Sequence, residues 1–574
     1  MLNKGLRIGT VTAVVGVLLV LVTACSPAMA SLSLSGVALT RLASGADSAG
    51  AATDAQAAQP APDGPTTAAR RPNIVFILTD DLDVNLDSLN PKYMPRIKSL
   101  LTDQGMTFED HFVSLSLCCP SRASTLTGEY AHNTDIFNNS TTESDGGFHT
   151  FYKNGEEAST MATWLQGTGY RTVLMGKYLN GYPVGKDKNG NPTPPNYVPP
   201  GWSQWYSPEA GDPYGEYNYT MNENGTPVVY SNQYMVDVLS GKAQTFIQQA
   251  AQDNTPFFMY IAPYDPHQPA AAAPRYQHDF LNVPLPRPPS FNEKDVSDKP
   301  AWIQARPPLS RKQITAMTQL YDKRLQAMEA VEDMVQTVVD TLAANHQLDN
   351  TYIFFTSDNG FHMGEHRLGA GKNTLYEEDL HVPLIVRGPG VAKGSTVSAI
   401  TANVDYAPTF AAIAGATAPA TVDGRSLVPL LHGQTPPDWR NALLLEHGGP
   451  DTQVTAPKTG FGGDPNTLEP PDQMDLIDKA AKGKFDIPPF VGVRTADLAF
   501  AEYETGTTPP VRELYNLRCD PHEQKNVASD PANQALVSQL SAWSQALHRC
   551  AGATCRAIEA QPLVAAPACS ASAP

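Results

Sequence analysis

Four strongly apolar segments each run into polar residues at their carboxyl ends, and this repeated arrangement most constrains the fold. The segments are NIVFIL (73–78), YRTVLMGKY (170–178), TPFFMYIAPYDPH (255–267) and NTYIFFTSDNG (350–360). Continuous apolar runs are typical of strands that are buried on both faces of a parallel sheet. The carboxyl edge of such a sheet is where open α/β proteins bind ligands. The four polar ends therefore predict one functional site at that edge.

Helical patterns lie between these strands. From Ser310 to about Ala344 apolar residues recur at three- and four-residue spacing, and Ser310 with Gln313 forms a capping-box pattern. The alternation predicts an α/β domain with a mostly parallel central sheet flanked by helices. Beyond about residue 440, segment 490–506 predicts a hairpin and segment 529–549 a helix. This part predicts a smaller C-terminal α+β domain with antiparallel strands.

The N-terminus has the features of an export signal. Lys4 and Arg7 precede the apolar run VTAVVGVLLVLVTA, and VTAC ends at Cys25. The VTAC pattern predicts a lipobox with a lipid anchor at Cys25, and the alternative is cleavage after Ala30. We therefore expect an exported protein, either a bacterial cell-surface lipoprotein or a secreted one.

The composition shifts divide the chain into five parts. We predict a signal peptide over 1–30, a disordered tether over 31–70 and an α/β domain over 71–440. The smaller domain follows over 441–550, and a cysteine-containing tail covers 551–574, of which the last twenty residues are expected to be poorly ordered. The tether is predicted because its Ala, Ser, Pro, Gly and Asp residues bury too little apolar surface to fold.

The cysteines fall into two groups after Cys25. Four crowd the C-terminal region, and Cys550 with Cys555 is the expected disulfide because the loop between them is short. Cys118 and Cys119 are adjacent and remain without an obvious partner. A redox or metal-binding pair is one interpretation, but no Cys-x-x-Cys spacing or nearby histidine cluster supports it.

The polar strand ends predict a metal site. Asp80, Asp81, Asp358 and Asn359 offer only oxygen, which suits Ca²⁺, with Mg²⁺ as a second possibility. The alternative is that they merely cap helices. The net charge of −18 argues against nucleic-acid binding. Because the protein as a whole is acidic, an anionic substrate would need a local cationic pocket. Three cationic residues follow strand ends or glycine-containing turns and would line it, namely Arg122, Lys177 and Lys372.

These motifs together resemble the type I sulfatases, which have the alkaline-phosphatase-like fold. The match is carried by CCPSRASTLTGEY, NIVFILTDD, GKY, PHQP, FTSDNG, GKNTLYE and ELYNLRCDPHEQKN, in family order over about 72–530. CCPSR, MGKYLNGY and SDNGFHMGEH are most similar to the branch that contains N-acetylglucosamine-6-sulfatases. The resemblance implies that a formylglycine-generating enzyme converts Cys118 to formylglycine (3-oxoalanine). The hydrated aldehyde would be both nucleophile and metal ligand, beside Asp80, Asp81, Asp358 and Asn359.

The resemblance also implies roles for the remaining site residues. Arg122 would hold residue 118, Lys177 and Lys372 would neutralise the sulfuryl oxygens, and His267 or Lys372 would protonate the leaving alcohol. Many relatives have a histidine where this chain has Leu179. Its role as a base would pass to His132 or His362.

The expected substrate is a sulfated small molecule or a sulfated glycan, such as a sugar 6-sulfate or an aryl sulfate. Four aromatic residues are candidates for a sugar or aryl subsite or for simple loop packing, namely Trp202, Trp205, Tyr206 and Tyr217. Two other functions stay open on sequence grounds. One is a phosphonate or phosphate ester hydrolase on the same fold, and the other is an inactive binding lipoprotein at the cell surface.

Overall fold

The computed structural model describes residues 70–139, 146–448, 487–507 and 509–562, together with Ala566 and Cys569. The predicted signal peptide with Cys25, nearly all of the tether and most of segment 447–489 lie outside the described residues. Within the described ranges, no helix combines the length and the apolar character that a membrane crossing requires.

Ten strands form one large mixed sheet. The strands of the described chain are β1 (Asn73–Thr79), β2 (Met106–Phe108), β3 (His111–Phe112), β4 (Arg171–Gly176), β5 (Gln204–Gly211), β6 (Tyr219–Glu223), β7 (Thr226–Tyr230), β8 (Phe257–Ala262), β9 (Thr351–Ser357), β10 (His362–Met363), β11 (Ala370–Gly371), β12 (Leu384–Arg387), β13 (Ser395–Val397), β14 (Thr401–Ala402), β15 (Ala442–His447), β16 (Phe490–Thr495), β17 (Leu498–Tyr503) and β18 (Val511–Asn516). The large sheet has the order β13-β2-β12-β9-β1-β8-β4-β5-β6-β7. The central strands from β9 to β5 are parallel, whereas β12, β6 and β7 pair antiparallel to their inner neighbours.

The four apolar segments are β1, β4, β8 and β9, and they lie side by side in the order β9-β1-β8-β4. Val75 and Ile77 of β1 pack into the apolar core on one face, and Ile74, Phe76 and Leu78 pack into the core on the other. Both faces of the strand are therefore covered, which explains its unbroken apolar run. The prediction of a parallel sheet whose polar strand ends share one edge is confirmed.

Thirteen α-helices are present in the described chain, and several of them cover both faces of this sheet. They are α1 (Pro95–Ile97), α2 (Cys118–Thr127), α3 (Ala131–Thr134), α4 (Gly147–Asn154), α5 (Met161–Gly167), α6 (Met235–Asp253), α7 (Ala301–Gln304), α8 (Arg311–Ala344), α9 (Glu377–Leu380), α10 (Tyr406–Ala414), α11 (Val428–Leu431), α12 (Gln534–Leu547) and α13 (Ala553–Glu559). Helices α6 and α8 pack in the core on one face, and α2, α5 and α10 pack in the core on the other. The predicted capping box is present, because Gln313 N donates to Ser310 Oγ and Ser310 N donates to Gln313 Oε1.

A second sheet follows in the C-terminal part of the chain. Strands β15 to β18 pair antiparallel in chain order, and β16 with β17 is the predicted hairpin. Helix α12 packs on this sheet through Leu540 and Trp543, and the same apolar cluster includes Phe112 and Tyr376 from before residue 440. The smaller antiparallel unit is confirmed, whereas the boundary near residue 440 stays a prediction.

The disulfides join Cys550 to Cys555, as expected, and Cys519 to Cys569.

The expectation of a poorly ordered tail is wrong for its first part, because Ala553–Glu559 form helix α13. Glu559 is fully buried and accepts hydrogen bonds from Tyr130, Arg425 and Arg440. A buried carboxylate needs such partners, and these contacts fix the helix to the rest of the protein.

The ion pairs of Arg440 generate the first prediction. Its guanidinium donates to Asp405 at 2.6 and 2.9 Å and to Glu559 at 3.0 Å, and all three side chains are buried. We expect Arg440→Ala to lower the free energy of unfolding by about 3–5 kcal/mol, because two buried carboxylates lose their shared cation. Arg518→Ala is the matched control, since Arg518 is exposed and only 3.9 Å from Asp497. Urea titrations of both variants would measure this, and equal small losses would contradict it.

Candidate active site

The carboxylates of Asp80 and Asp81 follow directly after β1. Both residues are fully buried at the carboxyl edge of the large sheet. The backbone of Asp81 takes a left-handed conformation with φ of 63°, which aspartate tolerates better than most residues. Its amide donates a 3.1 Å hydrogen bond to Asp358 Oδ1, the carboxylate that follows the neighbouring strand β9. The ends of the two strands are thereby joined.

Helix α2 brings the signature sequence to this edge. Cys118 is its first residue, and Arg122 is four residues later, so both lie on the same helix face. Cys118 Sγ lies 3.5 Å from Asp80 Oδ1. Arg122 Nε donates to Asp358 Oδ2 at 2.8 Å, and Nη1 donates to the carbonyl of Lys177 at 3.1 Å. The spacing of the signature thus places Cys118 and the fixed cation of Arg122 together at this edge.

Two lysines point into the same cluster. Lys177, which follows β4, donates to Asp80 Oδ2 at 2.5 Å. Lys372, which follows β11, donates to Asp81 Oδ1 at 2.6 Å and to Cys118 Sγ at 2.9 Å. Both side chains are almost completely buried, so water screens these charges little. An anion that enters beside Cys118 would meet both ammonium groups.

The donor set fits a hard divalent cation. Asn359 Nδ2 donates to Asp81 Oδ1 at 2.7 Å, whereas Asn359 Oδ1 and Asp81 Oδ2 are buried without a hydrogen-bond partner in the described chain. Buried oxygens without a donor cost free energy, and a cation would satisfy them. Asp80, Asp81, Cys118 and His267 also offer ligand atoms within 4.8 Å of one another. The carboxylate and amide oxygens suit Ca²⁺ or Mg²⁺.

His267 completes this face of the site from the segment after β8. Its Nε2 lies 3.5 Å from Asp81 Oδ2, and its Nδ1 is 2.7 Å from the carbonyl of Gln268. Burial alone would lower the pKa of His267, but Asp81, Asp80 and a hydrogen bond with Cys118 raise it well above the usual value. A protonated imidazole beside residue 118 can give a proton to a leaving group.

Burial and charge set the protonation of the other central groups. Burial alone would raise the pKa of Asp80, but the nearby cations, Lys177 first, hold it well below its usual range. Burial and the charge of Asp80 raise the pKa of the Cys118 thiol to about 11. The thiol therefore stays protonated at neutral pH, and it is a weak nucleophile and a weak metal ligand.

The structure brings nine of the predicted site residues together and places His132 elsewhere. The nine are Asp80, Asp81, Cys118, Arg122, Lys177, His267, Asp358, Asn359 and Lys372. His132 has both ring nitrogens engaged, Nδ1 with Glu446 at 3.0 Å and Nε2 with the carbonyl of Cys550 at 2.9 Å. Neither nitrogen is available to act as a base for residue 118, so the expectation for His132 lacks structural support.

The other histidine considered for this role also has a partner elsewhere. His362 Nδ1 lies 2.8 Å from Asp379 Oδ1. Leu179, which stands where many relatives have a histidine, is buried in the apolar core. Trp205 is completely buried in the same core, so it packs rather than lines a subsite.

Two tyrosines beside Lys177 were not predicted as site residues. Lys177 Nζ lies 5.1 Å from the ring centroid of Tyr214 and 5.9 Å from that of Tyr264. Both aromatic faces can stabilise the ammonium group. Tyr264 lies in the strand-end segment APYDPH and could have been found there, whereas nothing in the sequence around Tyr214 marks it.

Comparisons with known proteins agree with this geometry. The sulfatase family model matches residues 72–416. The chain is 36% identical over 502 residues to the N-acetylglucosamine-6-sulfatase of Capra hircus, and the match covers 86% of each chain. A protein solved in complex with its substrate D-glucosamine-2-N,6-O-disulfate superposes with a TM-score of 0.63 at 23% identity, over 83% of this chain and 97% of that one. The phosphonate monoester hydrolase of Silicibacter pomeroyi superposes with a TM-score of 0.58 at 22% identity, over 82% and 94%.

The two solved structures support the fold alone, because their identities are low. The family match covers more than half of the chain, and the goat relative is aligned over most of both sequences. The chain therefore belongs to the sulfatase family, whose members are sulfuric ester hydrolases.

Proposed function

We propose that this chain hydrolyses sulfate monoesters of sugars, of the N-acetylglucosamine 6-sulfate class, with formylglycine at residue 118 and a bound divalent cation. The observation that carries the proposal is the position of Cys118 Sγ, 2.9 Å from Lys372 Nζ and 3.5 Å from Asp80 Oδ1. A nucleophile at this point lies between a cation for the sulfate group and carboxylates for a metal ion. The sugar class is supported by the N-acetylglucosamine-6-sulfatase of Capra hircus.

The chemistry at residue 118 requires more than a thiol. A thiol whose pKa is about 11 is neither a good nucleophile nor a suitable ligand for a hard cation. The hydrated aldehyde instead supplies one hydroxyl that attacks sulfur and a second that loses its proton as sulfate leaves and the aldehyde re-forms. Every side chain from Cys118 to Thr127 is buried, so a formylglycine-generating enzyme would have to act before this segment folds.

A divalent cation would be held by Asp80, Asp81, Asp358, Asn359 and residue 118. Their oxygen donors favour Ca²⁺, and Mg²⁺ is the alternative. When bound, such an ion supplies a Lewis acid that polarises a sulfate oxygen. The support in this chain is the pair of buried oxygens without hydrogen-bond donors, Asp81 Oδ2 and Asn359 Oδ1.

The remaining residues bind, neutralise and transfer protons. Arg122 is fixed by Asp358 and holds residue 118 from within the same helix. Lys177 and Lys372 neutralise charge on the sulfuryl oxygens, because their ammonium groups point into a water-poor cluster. His267 protonates the leaving alcohol. His267 offers a ring nitrogen within 4.8 Å of Cys118 Sγ, so we assign the later proton removal from residue 118 to His267 as well.

Two alternative functions make different predictions. A phosphonate or phosphate ester hydrolase is supported only by fold likeness, at 22% identity to the Silicibacter pomeroyi enzyme. An inactive binding lipoprotein would keep Cys118 as a thiol among buried charges that then serve no reaction. We further propose export of the protein with a lipid anchor at Cys25, as the N-terminal sequence predicts.

Mass spectrometry of the tryptic peptide that contains residue 118 tests the proposed nucleophile. We expect an aldehyde at residue 118 and an unmodified, alkylatable thiol at Cys119 in protein from a host with the modifying enzyme. Cys118→Ser should release sulfate from N-acetylglucosamine 6-sulfate at least about 10³-fold more slowly, because serine has no second hydroxyl. Cys119→Ser is the matched control and should retain the aldehyde. A thiol at residue 118 in fully active protein would contradict the proposal.

His267→Ala tests whether His267 gives a proton to the leaving group, by comparing two substrates whose leaving groups differ in their need for that proton. A sugar alcohol is a poor leaving group, whereas a nitrophenolate leaves without a proton. We therefore expect the single-turnover rate of alcohol release, which precedes the later proton removal, to fall by about 10²–10⁴-fold with N-acetylglucosamine 6-sulfate and by much less with nitrophenyl sulfate. His132→Gln should change kcat by less than about twofold with either substrate, since its ring nitrogens are engaged by Glu446 and Cys550. Equal losses on both substrates for His267→Ala would contradict the assignment.

Calcium addition tests the proposed metal site by thermal stability. Because binding to the folded state alone stabilises it, Ca²⁺ at 100 times its dissociation constant should add about 2.7 kcal/mol after chelator treatment. Asp81→Asn should reduce the rise in melting temperature. Asp333→Asn is the control, because Asp333 pairs with Arg275 at 2.9 Å outside the site. A melting temperature that does not respond to Ca²⁺ or Mg²⁺ would count against the site.

A further inference from the structure

A second group of metal-ligand side chains is buried away from the cluster described above. His366, Glu378 and Glu523 each offer a ligand atom within 4.8 Å of the other two. Their exposed fractions are 0%, 5% and 1%, so water does not solvate them. The three residues come from separate segments, namely the turn between β10 and β11, helix α9 and the loop after β18.

Each residue carries a buried atom without a hydrogen-bond partner in the part of the chain that the structure describes. These atoms are His366 Nε2, Glu378 Oε2 and Glu523 Oε1. Three such atoms in one small group are unusual, because native proteins satisfy most buried polar groups. Because the three side chains also converge, one shared ligand would satisfy all three atoms.

His366 and Glu523 each use their other polar side-chain atom in a contact with a neighbouring residue, and these contacts fix the orientation of both side chains. His366 Nδ1 lies 2.7 Å from Glu293 Oε2, and the ring stacks on Tyr376 with centroids 4.0 Å apart. Glu523 Oε2 accepts a 3.0 Å hydrogen bond from the amide of Glu377. A histidine that donates from one nitrogen to a carboxylate keeps a lone pair on the other, which is the usual arrangement of a metal-binding histidine.

Nearby cations are paired with other carboxylates. Lys299 lies 3.4 Å from Glu293, and Arg494 lies 2.6 Å from Glu377. No described cation forms an ion pair with Glu378 or Glu523. The two carboxyl groups thus have no paired cation among the described residues, and a divalent ion would provide one.

We propose that His366 Nε2, Glu378 Oε2 and Glu523 Oε1 bind a divalent first-row transition ion, with Zn²⁺ as the probe. One imidazole nitrogen with two carboxylate oxygens is a zinc-type donor set, whereas Ca²⁺ and Mg²⁺ prefer oxygen alone. Glu293 would be the carboxylate that orients the ligating histidine. The three ligand side chains are buried, so a substrate cannot reach the ion and we assign it a structural role.

An ion at this location would stabilise the backbone that follows the first cluster. The carbonyl of Glu378 accepts a 2.8 Å hydrogen bond from Phe361 N, and the carbonyl of Asp379 accepts a 2.9 Å bond from Gly360 N. Residues 360–361 directly follow Asp358 and Asn359 of the first cluster. An ion at Glu378 would therefore hold helix α9, and through it the strand end, against the loop that carries Glu523.

A third histidine–carboxylate group provides a matched control. His132, Glu446 and His548 also offer ligand atoms within 4.8 Å. There the distances to Glu446 Oε2 are 3.0 Å from His132 Nδ1 and 3.1 Å from His548 Nδ1. These hydrogen bonds satisfy the group without a metal ion, so we do not assign one to it.

Zinc content measured by mass spectrometry tests the proposal. Full-length protein, with residue 118 in whichever state mass spectrometry finds, is dialysed against Zn²⁺ in excess Ca²⁺, which fills the oxygen site, and is then freed of unbound zinc. We expect about one zinc per chain. Glu378→Gln and Glu523→Gln should each lower it at least about tenfold, and His548→Gln should leave it unchanged.

Two measurements keep the test valid if the variants fold poorly. Cobalt added to the wild-type protein should give visible absorption bands of nitrogen- and oxygen-bound Co²⁺, and anomalous scattering at the zinc edge should locate zinc among the three residues. Wild-type protein without zinc above the buffer level would overturn the proposal, as would zinc that is lost in His548→Gln and kept in Glu523→Gln. Neither result depends on the sulfatase assignment, which the aldehyde at residue 118 and sulfate release report separately.

Discussion

The carboxylate of Asp358 is the contact on which the catalytic geometry depends. One of its oxygens accepts the amide of Asp81 at 3.1 Å, and the other accepts Arg122 Nε at 2.8 Å. It therefore joins the ends of β1 and β9 to the signature helix α2. All three groups are buried, so the bonds are strong and their loss is costly. The position of Cys118 follows from this contact, since it shares a helix face with Arg122.

The same burial decides which chemistry residue 118 can perform. Burial and the charge of Asp80 outweigh the stabilisation that Lys177 and Lys372 give a thiolate, and they raise the pKa of the Cys118 thiol to about 11. A neutral hydrated aldehyde avoids this cost, because its hydroxyls can accept from Lys372 and donate to Asp80 without first becoming charged. The environment thus favours an oxygen nucleophile over the encoded sulfur.

Much of the fold and most of the site could be predicted from the sequence, because both depend on local patterns. The apolar runs identify β1, β4, β8 and β9, and parallel pairing brings their polar ends to one edge. Distant pairings could not be predicted in this way. His132 follows the signature closely in sequence, yet Glu446 holds it elsewhere, and Glu559 is buried only because Arg440 and Arg425 lie opposite. An isolated acid or histidine in a sequence is most often solvated, so neither contact had a signal.

In both buried clusters the acids need a compensating partner, but the two clusters offer different ones. Around Asp80 the acids are matched by Arg122, Lys177 and Lys372, and two oxygens remain for a hard cation. Around Glu378 no arginine or lysine of the described chain makes such a match, and a histidine nitrogen faces the acids instead. The bonds from residues 360–361 to helix α9 connect the clusters through the backbone. Because a buried acid must be protonated, paired or metal-bound, an ion at Glu378 would also stabilise the segment that presents Asp358 and Asn359.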